Sequence, residues 1–178
     1  MKVIILAGGG GTRLFPLSRS CFPKQLMKVG GTQSLLEQTA KRFLPLAKAE
    51  DIVIVTNEKY FHHVKSELAG CGLQEAHVIL EPVGRNTAPA IALAVQYCQE
   101  RLQTQPNEVL LITPSDHIVK QRDLFVRTMR QGEVLAQQEQ LVTFGITPSS
   151  AETGYGYIEA GEPIQDGFAV RSFKEKPD

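Results

Sequence analysis

The chain has no surplus of charge: nineteen Lys and Arg offset nineteen Asp and Glu across its 178 residues. Nothing in it pulls the whole molecule toward nucleic acid or an anionic membrane surface, so any basic chemistry has to be local. Cysteine is scarce. Cys21, Cys71 and Cys98 are odd in number, widely spaced and form no Cys-x-x-Cys pair, which argues against a disulfide framework and against a zinc site. Long apolar runs are also missing: no stretch of 18 apolar residues occurs, and the five apolar residues before Gly8 are too few for the apolar region of a secretory signal. There is no internal repeat, low-complexity tract or linker. These absences lead us to expect a soluble, cytoplasmic protein of a reducing compartment, with no nucleic acid or membrane partner. They are compatible with a homo-oligomer.

What is present suffices for a core. With 42% hydrophobic and 21% charged residues, a chain of this length can bury roughly 70% of its unfolded surface. Short apolar runs at residues 3–7, 52–56, 77–80, 109–113 and 141–145 are rich in Val, Ile and Leu, as expected of strands buried on both faces. Between them lie helical patterns. Ser34 and Glu37 have capping-box spacing and open a helix expected to reach about Leu46, and Asn57 can cap a second that stops near Gly70 and Gly72. Thr87 can cap a third, and a fourth is expected over about residues 122–138. Strands alternating with helices predict an α/β fold, a mostly parallel central sheet of Rossmann-like three-layer type with right-handed crossovers. Residues 154–160 and 168–174 read as a strand pair added at one end of that sheet. A single domain over residues 1–178 is expected.

In an open parallel sheet, ligands bind beyond the carboxyl ends of the strands. The loop after the first run holds Gly8, Gly9, Gly10 and Gly11, followed by Arg13, Arg19, Lys24 and Lys28 with no acidic residue before Glu37. Glycines let backbone N–H groups approach an anion, and the cations after them form a local positive field suited to a polyphosphate. The spacing gives neither Gly-x-Gly-x-x-Gly nor Gly-x-x-x-x-Gly-Lys-Ser/Thr, which lowers the case for a dinucleotide-dependent dehydrogenase or a P-loop NTPase. Asp116, just past the fourth run, has the chemistry to hold Mg²⁺, although a strand-end Asp more commonly makes a turn or cap. His117 has no evident partner, and His62 with His63 lacks a third ligand.

The ordered motifs Leu6-Ala-Gly-Gly-Gly-Gly-Thr-Arg-Leu-Phe-Pro-Leu-Ser-Arg19, Pro23-Lys24-Gln25, Glu81-Pro-Val-Gly-Arg-Asn-Thr-Ala-Pro-Ala-Ile91 and Pro114-Ser-Asp-His117 resemble those of sugar-1-phosphate nucleotidyltransferases. The resemblance continues through Phe144-Gly-Ile-Thr-Pro148, Glu152-Thr-Gly-Tyr-Gly-Tyr-Ile-Glu159 and Phe173-Lys-Glu-Lys-Pro177, and it is to the mannose-1-phosphate guanylyltransferase branch. It implies transfer of GMP from GTP to mannose 1-phosphate with Mg²⁺ as cofactor. By motif position Leu6, Ala7, Gly8, Gly9, Gly10, Gly11 and Thr12 would hold the nucleotide, and Arg13 and Lys24 would offset its phosphates as the catalytic residues. Glu81, Gly84, Arg85 and Asn86 would lie near the base, with Glu81 able to accept from N1–H and the exocyclic amine of guanine. Asp116 would hold the metal, and Gly145, Gly154, Glu159, Glu175 and Lys176 would line the sugar phosphate. In the family the sequence continues past the counterpart of Asp178 with a second metal-binding carboxylate, so the resemblance implies the N-terminal part of such an enzyme. Two other readings are a nucleotide-binding fragment or regulatory module without turnover, and a nucleotidyltransferase for another sugar 1-phosphate.

Overall fold

The structure, a computed structural model, describes residues 1–9, 18–19 and 22–176. It divides into two compact units, Met1–Val126 and Arg127–Asp178.

In the first unit four strands form one sheet: β1 (Lys2–Leu6), β2 (Ile52–Asn57), β3 (His77–Glu81) and β4 (Leu110–Pro114). All the pairings are parallel, in the order β3-β2-β1-β4. β1 and β2 lie in the middle, and their Val3, Ile4, Ile5 and residues 52–55 are fully buried. A strand covered on both faces has no polar side to show, which is why these segments read as continuous apolar runs. β3 and β4 are edges of the described sheet, and their partly exposed residues follow from that position.

The helices are placed by the same order. The chain steps from β1 through α1 (Leu35–Arg42) to β2, and through α2 (Phe61–Gly70) to β3. It then reverses through α3 (Thr87–Arg101) to reach β4 on the far side of β1. Right-handed crossovers put helices on opposite faces when the direction of travel reverses, so α3 covers one face and α1 with α2 the other. α3 meets the sheet through Ala90, Ala94 and Cys98, which pack with Ile4, Val53, Val55 and Ile79. Their spacing of four keeps them on one stripe, and their small side chains let the helix sit close.

Asn57 caps the 3₁₀ turn Glu58–Tyr60 and not α2, whose N-cap is Tyr60, and the other local signals met three departures. Ser34 caps α1, its hydroxyl accepting from Glu37 N at 3.1 Å, while the Glu37 carboxylate takes Gln33 and Lys41. The helix ends at Arg42, before the expected Leu46, because Pro45 disfavours a helical residue before it and lacks a donor itself. α3 is capped by Asn86, at a φ of 69°, with Thr87 its first residue. The third departure is a correction: residues 141–145 are no strand. Leu141 is fully exposed, and the Phe144 ring occupies the space a Cβ at Gly132 would need. An apolar run that packs on a helix looks the same in sequence as one that pairs in a sheet.

The second unit holds most of α4 (Arg122–Ala136) and an antiparallel pair, β5 (Tyr157–Ile164) and β6 (Gly167–Lys174). These form a separate two-stranded sheet, which corrects the expectation of a strand pair added to the parallel sheet. Among the described residues no helix is long and apolar enough to cross a membrane.

The α3 stripe has a direct check. Ala94→Leu forces extra volume against the sheet and should destabilise by about 1–3 kcal/mol, while Gln99→Ala on the exposed side should stay within about 0.5 kcal/mol. Equal urea midpoints for the two variants would contradict the packing.

Candidate functional site

The strand order reverses between β1 and β4, and the carboxyl ends of these neighbours open onto one edge of the sheet. Leu6 stands opposite Pro114, and the Ser115 N–H donates to the Leu6 carbonyl at 3.1 Å just past the last pair. Ala7, Gly8 and Gly9 therefore leave the sheet beside residues 115–117.

A single 3₁₀ turn, Lys24–Leu26, joins the two loops. Its first side chain, Lys24, forms an ion pair with Asp116. Its second, Gln25, points inward, is 1% exposed, and donates from Nε2 to the Ala7 carbonyl at 2.7 Å and to the Gly9 carbonyl at 3.4 Å. Adjacent residues of one turn thus hold the loop after β1 and the loop after β4. Helix α1 braces the second of these: Thr39 Oγ1 donates to the Ser115 carbonyl at 3.3 Å, and Arg42 donates to the His117 carbonyl at 2.6 Å. Arg42 is almost fully buried, with its guanidinium 5.5 Å from the centre of the Phe125 ring. Burial first, and Arg122 second, pull its pKa down from the usual arginine value. His117 serves the site through its backbone.

Glu81 ends β3 opposite Asn57. Its carboxylate reaches back to the loop after β1, so that a Cβ at Gly8 would run into it. A side chain at Gly8 would have to displace the Glu81 carboxylate, whereas a Cβ at Gly9 would meet open space. Burial pushes the Glu81 carboxyl above the ordinary carboxylate range. Gly84, Arg85 and Asn86 follow it on an exposed turn.

The structure thus brings together Ala7, Gly8, Gly9, Lys24, Glu81 and Asp116 of the expected site. Gly10, Gly11, Thr12 and Arg13 lie outside the described residues. The residues expected on the sugar side belong to the second unit. There Glu159 accepts from Ser172 Oγ at 2.7 Å and pairs with Arg171 at 3.5 Å, and Glu175 pairs with Lys176 at 3.1 Å. A Cβ at Gly145 or Gly154 would meet open space. Gly154 lies in a turn closed by Tyr157, whose hydroxyl accepts from Glu152 N and donates to Glu152 O. Gly156, by contrast, is packed under Phe173.

Sequence reasoning assigned no role to Gln25, Thr39, Arg42 or Thr56. Gln25 stood inside a quoted motif, and Thr56 is the polar residue that ends an apolar strand run. Either could have been singled out as a buried polar side chain in need of a partner.

A parallel α/β sheet with a glycine turn, a lysine and two carboxylates at its reversal point is a ligand-binding edge of the Rossmann-like type. The nucleotidyl transferase family model matches residues 2–178, and the chain belongs to this family. It is 46% identical over 176 residues to a mannose-1-phosphate guanylyltransferase of Salmonella muenchen, covering 98% of this chain and 37% of that protein. It is 43% identical over 175 residues to the xanthan biosynthesis protein XanB of Xanthomonas campestris pv. campestris, covering 98% of this chain and 36% of the relative. The chain therefore spans little more than a third of these curated relatives. A solved structure from Thermus thermophilus, described as a mannose-1-phosphate geranyltransferase, superposes with a TM-score of 0.87 at 29% identity over 99% of this chain and 50% of its own.

The Glu81 environment predicts a pH effect. A carboxyl raised by folding keeps its proton to higher pH in the folded chain than in the unfolded one, so stability falls as pH rises from the ordinary value of 4.5 through the folded-state value. Glu81→Gln should remove that loss, and its stability relative to wild type should climb across this window in urea titrations. A difference that stays constant with pH would show that Glu81 is not desolvated.

Proposed function

We propose that this chain carries the nucleotide half of a guanylyltransferase, transferring GMP from GTP to mannose 1-phosphate and releasing pyrophosphate as GDP-mannose forms. The observation that carries the reading is the Lys24–Asp116 ion pair beside the Gly8 turn, at the point where the strand order reverses. The names of the curated relatives support the choice of reaction.

The charges suit this chemistry. A phosphate oxygen of the sugar phosphate is already a nucleophile, so no enzyme-bound intermediate is needed. The protein has to align it with the α-phosphorus of GTP, opposite the departing pyrophosphate. The Gly8 turn would let the triphosphate come close to the backbone. Lys24 would then leave Asp116 for the phosphates, offsetting charge that builds on the leaving group. Arg13 would add a second cation. Glu81, as a carboxylate, would accept from the two adjacent donors on the guanine edge, a pair that adenine lacks there. Gly145, Gly154, Glu159, Glu175 and Lys176 of the second unit are proposed to line the sugar phosphate.

Asp116 fits Mg²⁺. Its carboxylate already attracts a cation, and its side chain retains 18% exposure. Among the described residues no cluster of three or more His, Cys, Asp or Glu forms a metal cage. One carboxylate is enough for a Mg²⁺ that keeps several waters and shares phosphate oxygens. Bound there, the metal would neutralise phosphate charge.

The test is pyrophosphate release by the full chain with GTP, mannose 1-phosphate and Mg²⁺. Release that needs both substrates and fails with ATP supports the proposal, and GTP binding without release would favour a nucleotide-binding module instead. Lys24→Ala should lower turnover by about 10²- to 10³-fold, as deletion of an oxyanion donor does. Near-normal turnover in a folded variant would remove Lys24 from the reaction. Asp116→Asn should move the Mg²⁺ requirement to higher concentration, and an unchanged Mg²⁺ titration would take Asp116 out of the metal site.

A further inference from the structure

The pairing of β1 with β2 ends at Leu6 and Val55, followed by one more backbone bond from Ala7 N to Val55 O at 2.8 Å. Beyond it two side chains take over. The Ala7 carbonyl accepts from Gln25 Nε2 at 2.7 Å and from Thr56 Oγ1 at 3.1 Å. Gln25 is 1% exposed and Thr56 is fully buried, so each brings a polar group into the core whose burial is costly unless it is bonded. Packing alone would be met better by Leu and Val. Two buried donors on one carbonyl hold that peptide group in a single orientation.

The orientation matters because of peptide geometry. The Ala7 C=O and the Gly8 N–H belong to one planar trans unit and point in opposite directions. The Ala7 carbonyl is drawn toward β2 by Thr56 and toward the core by Gln25. The Gly8 N–H is thereby turned to the other side of the strand, where the Leu6 carbonyl receives Ser115 N and where Lys24 meets Asp116. We infer that Gln25 and Thr56 are positioning residues of the nucleotide site, two inward donors that aim the Gly8 amide at a phosphate in the crevice between β1 and β4. Gln25 has a second effect. Because it neighbours Lys24 in the same 3₁₀ turn, the bond that orients the Gly8 amide also sets the distance from that amide to the lysine. The two anion-binding groups are held in register by one side chain. This inference rests on the nucleotide reading of the site.

The test exchanges the donor for an acceptor. In Gln25→Glu a carboxylate would face the Ala7 and Gly9 carbonyls and repel both, whereas its protonated form can donate to Ala7 again. Calorimetric titration of GTP into the full chain at about pH 8 and about pH 5.5 should show a deficit relative to wild type of at least tenfold at the higher pH that shrinks severalfold at the lower. A deficit that is equal at both pH values, or absent, overturns the inference. Thr56→Val keeps the branched shape and removes only the hydroxyl. It should fold and bind GTP about tenfold more weakly, and unchanged affinity counts against the inference even if Gln25→Glu does not fold.

A second readout separates this proposal from the nucleotide reading. In Gln25→Glu without any ligand, the Gly8 amide resonance should show a titration step additional to the one that the neighbouring Glu81 carboxyl gives it in wild type. If wild type binds no GTP, the functional reading falls and the positioning claim is judged on that resonance, a titration curve identical to wild type refuting it.

Discussion

The arrangement of the site depends on the position of β1, which is bonded in parallel on both sides and crossed by a chain that reverses direction around it. Because β1 and β2 are buried on both faces, no polar side chain can be offered from the middle of the sheet. Function is confined to where the ladder stops. Since all four strands run the same way, the loops after β1, β3 and β4 emerge on one edge, and the residues that carry charge and glycine are found there.

At that edge the polar groups are held by pairs of opposite demands. Lys24 and Asp116 satisfy each other, yet both retain exposure and either can be taken over by an ion of the right sign. Surface ion pairs of this kind contribute little to stability, commonly under about 1 kcal/mol. Breaking one to receive a phosphate therefore costs little. The groups behind the pair are different: Thr39, Arg42, Gln25 and Thr56 are buried and bonded to backbone carbonyls, so they define loop positions and have no role as ligands themselves. A yielding outer pair on a fixed inner frame suits a site whose charge partners must change during a reaction.

Much of this was legible in the sequence. Runs such as residues 3–7 and 52–56 announced buried strands because burial on both faces leaves no alternation to hide them, and the Ser34 cap formed as its spacing predicts. The α/β class followed from the alternation of strands and helices. The misreading at residues 141–145 has the converse cause, since Phe144 is apolar for the sake of Gly132 on α4 and no strand pairs with it. The link from Gln25 to Ala7 crosses 18 residues and that from Thr39 to Ser115 crosses 76. No periodicity encodes such bonds, so the motif residues were recognisable while the residues that position them were not. The closeness of Glu81 to Gly8 belongs to the same class, arising only when β3 is placed two strands from β1.

We propose the edge beyond β1 and β4 as a nucleotide site. The most direct test of that proposal is a GTP titration of the isotopically labelled chain followed through backbone amide resonances. Saturable shifts concentrated at Gly8, Gly9, Lys24, Gln25, Glu81 and residues 115–117 are expected. Shifts absent at saturating GTP, or centred on α2 and the Leu73 turn at the opposite end of that helix, would contradict it.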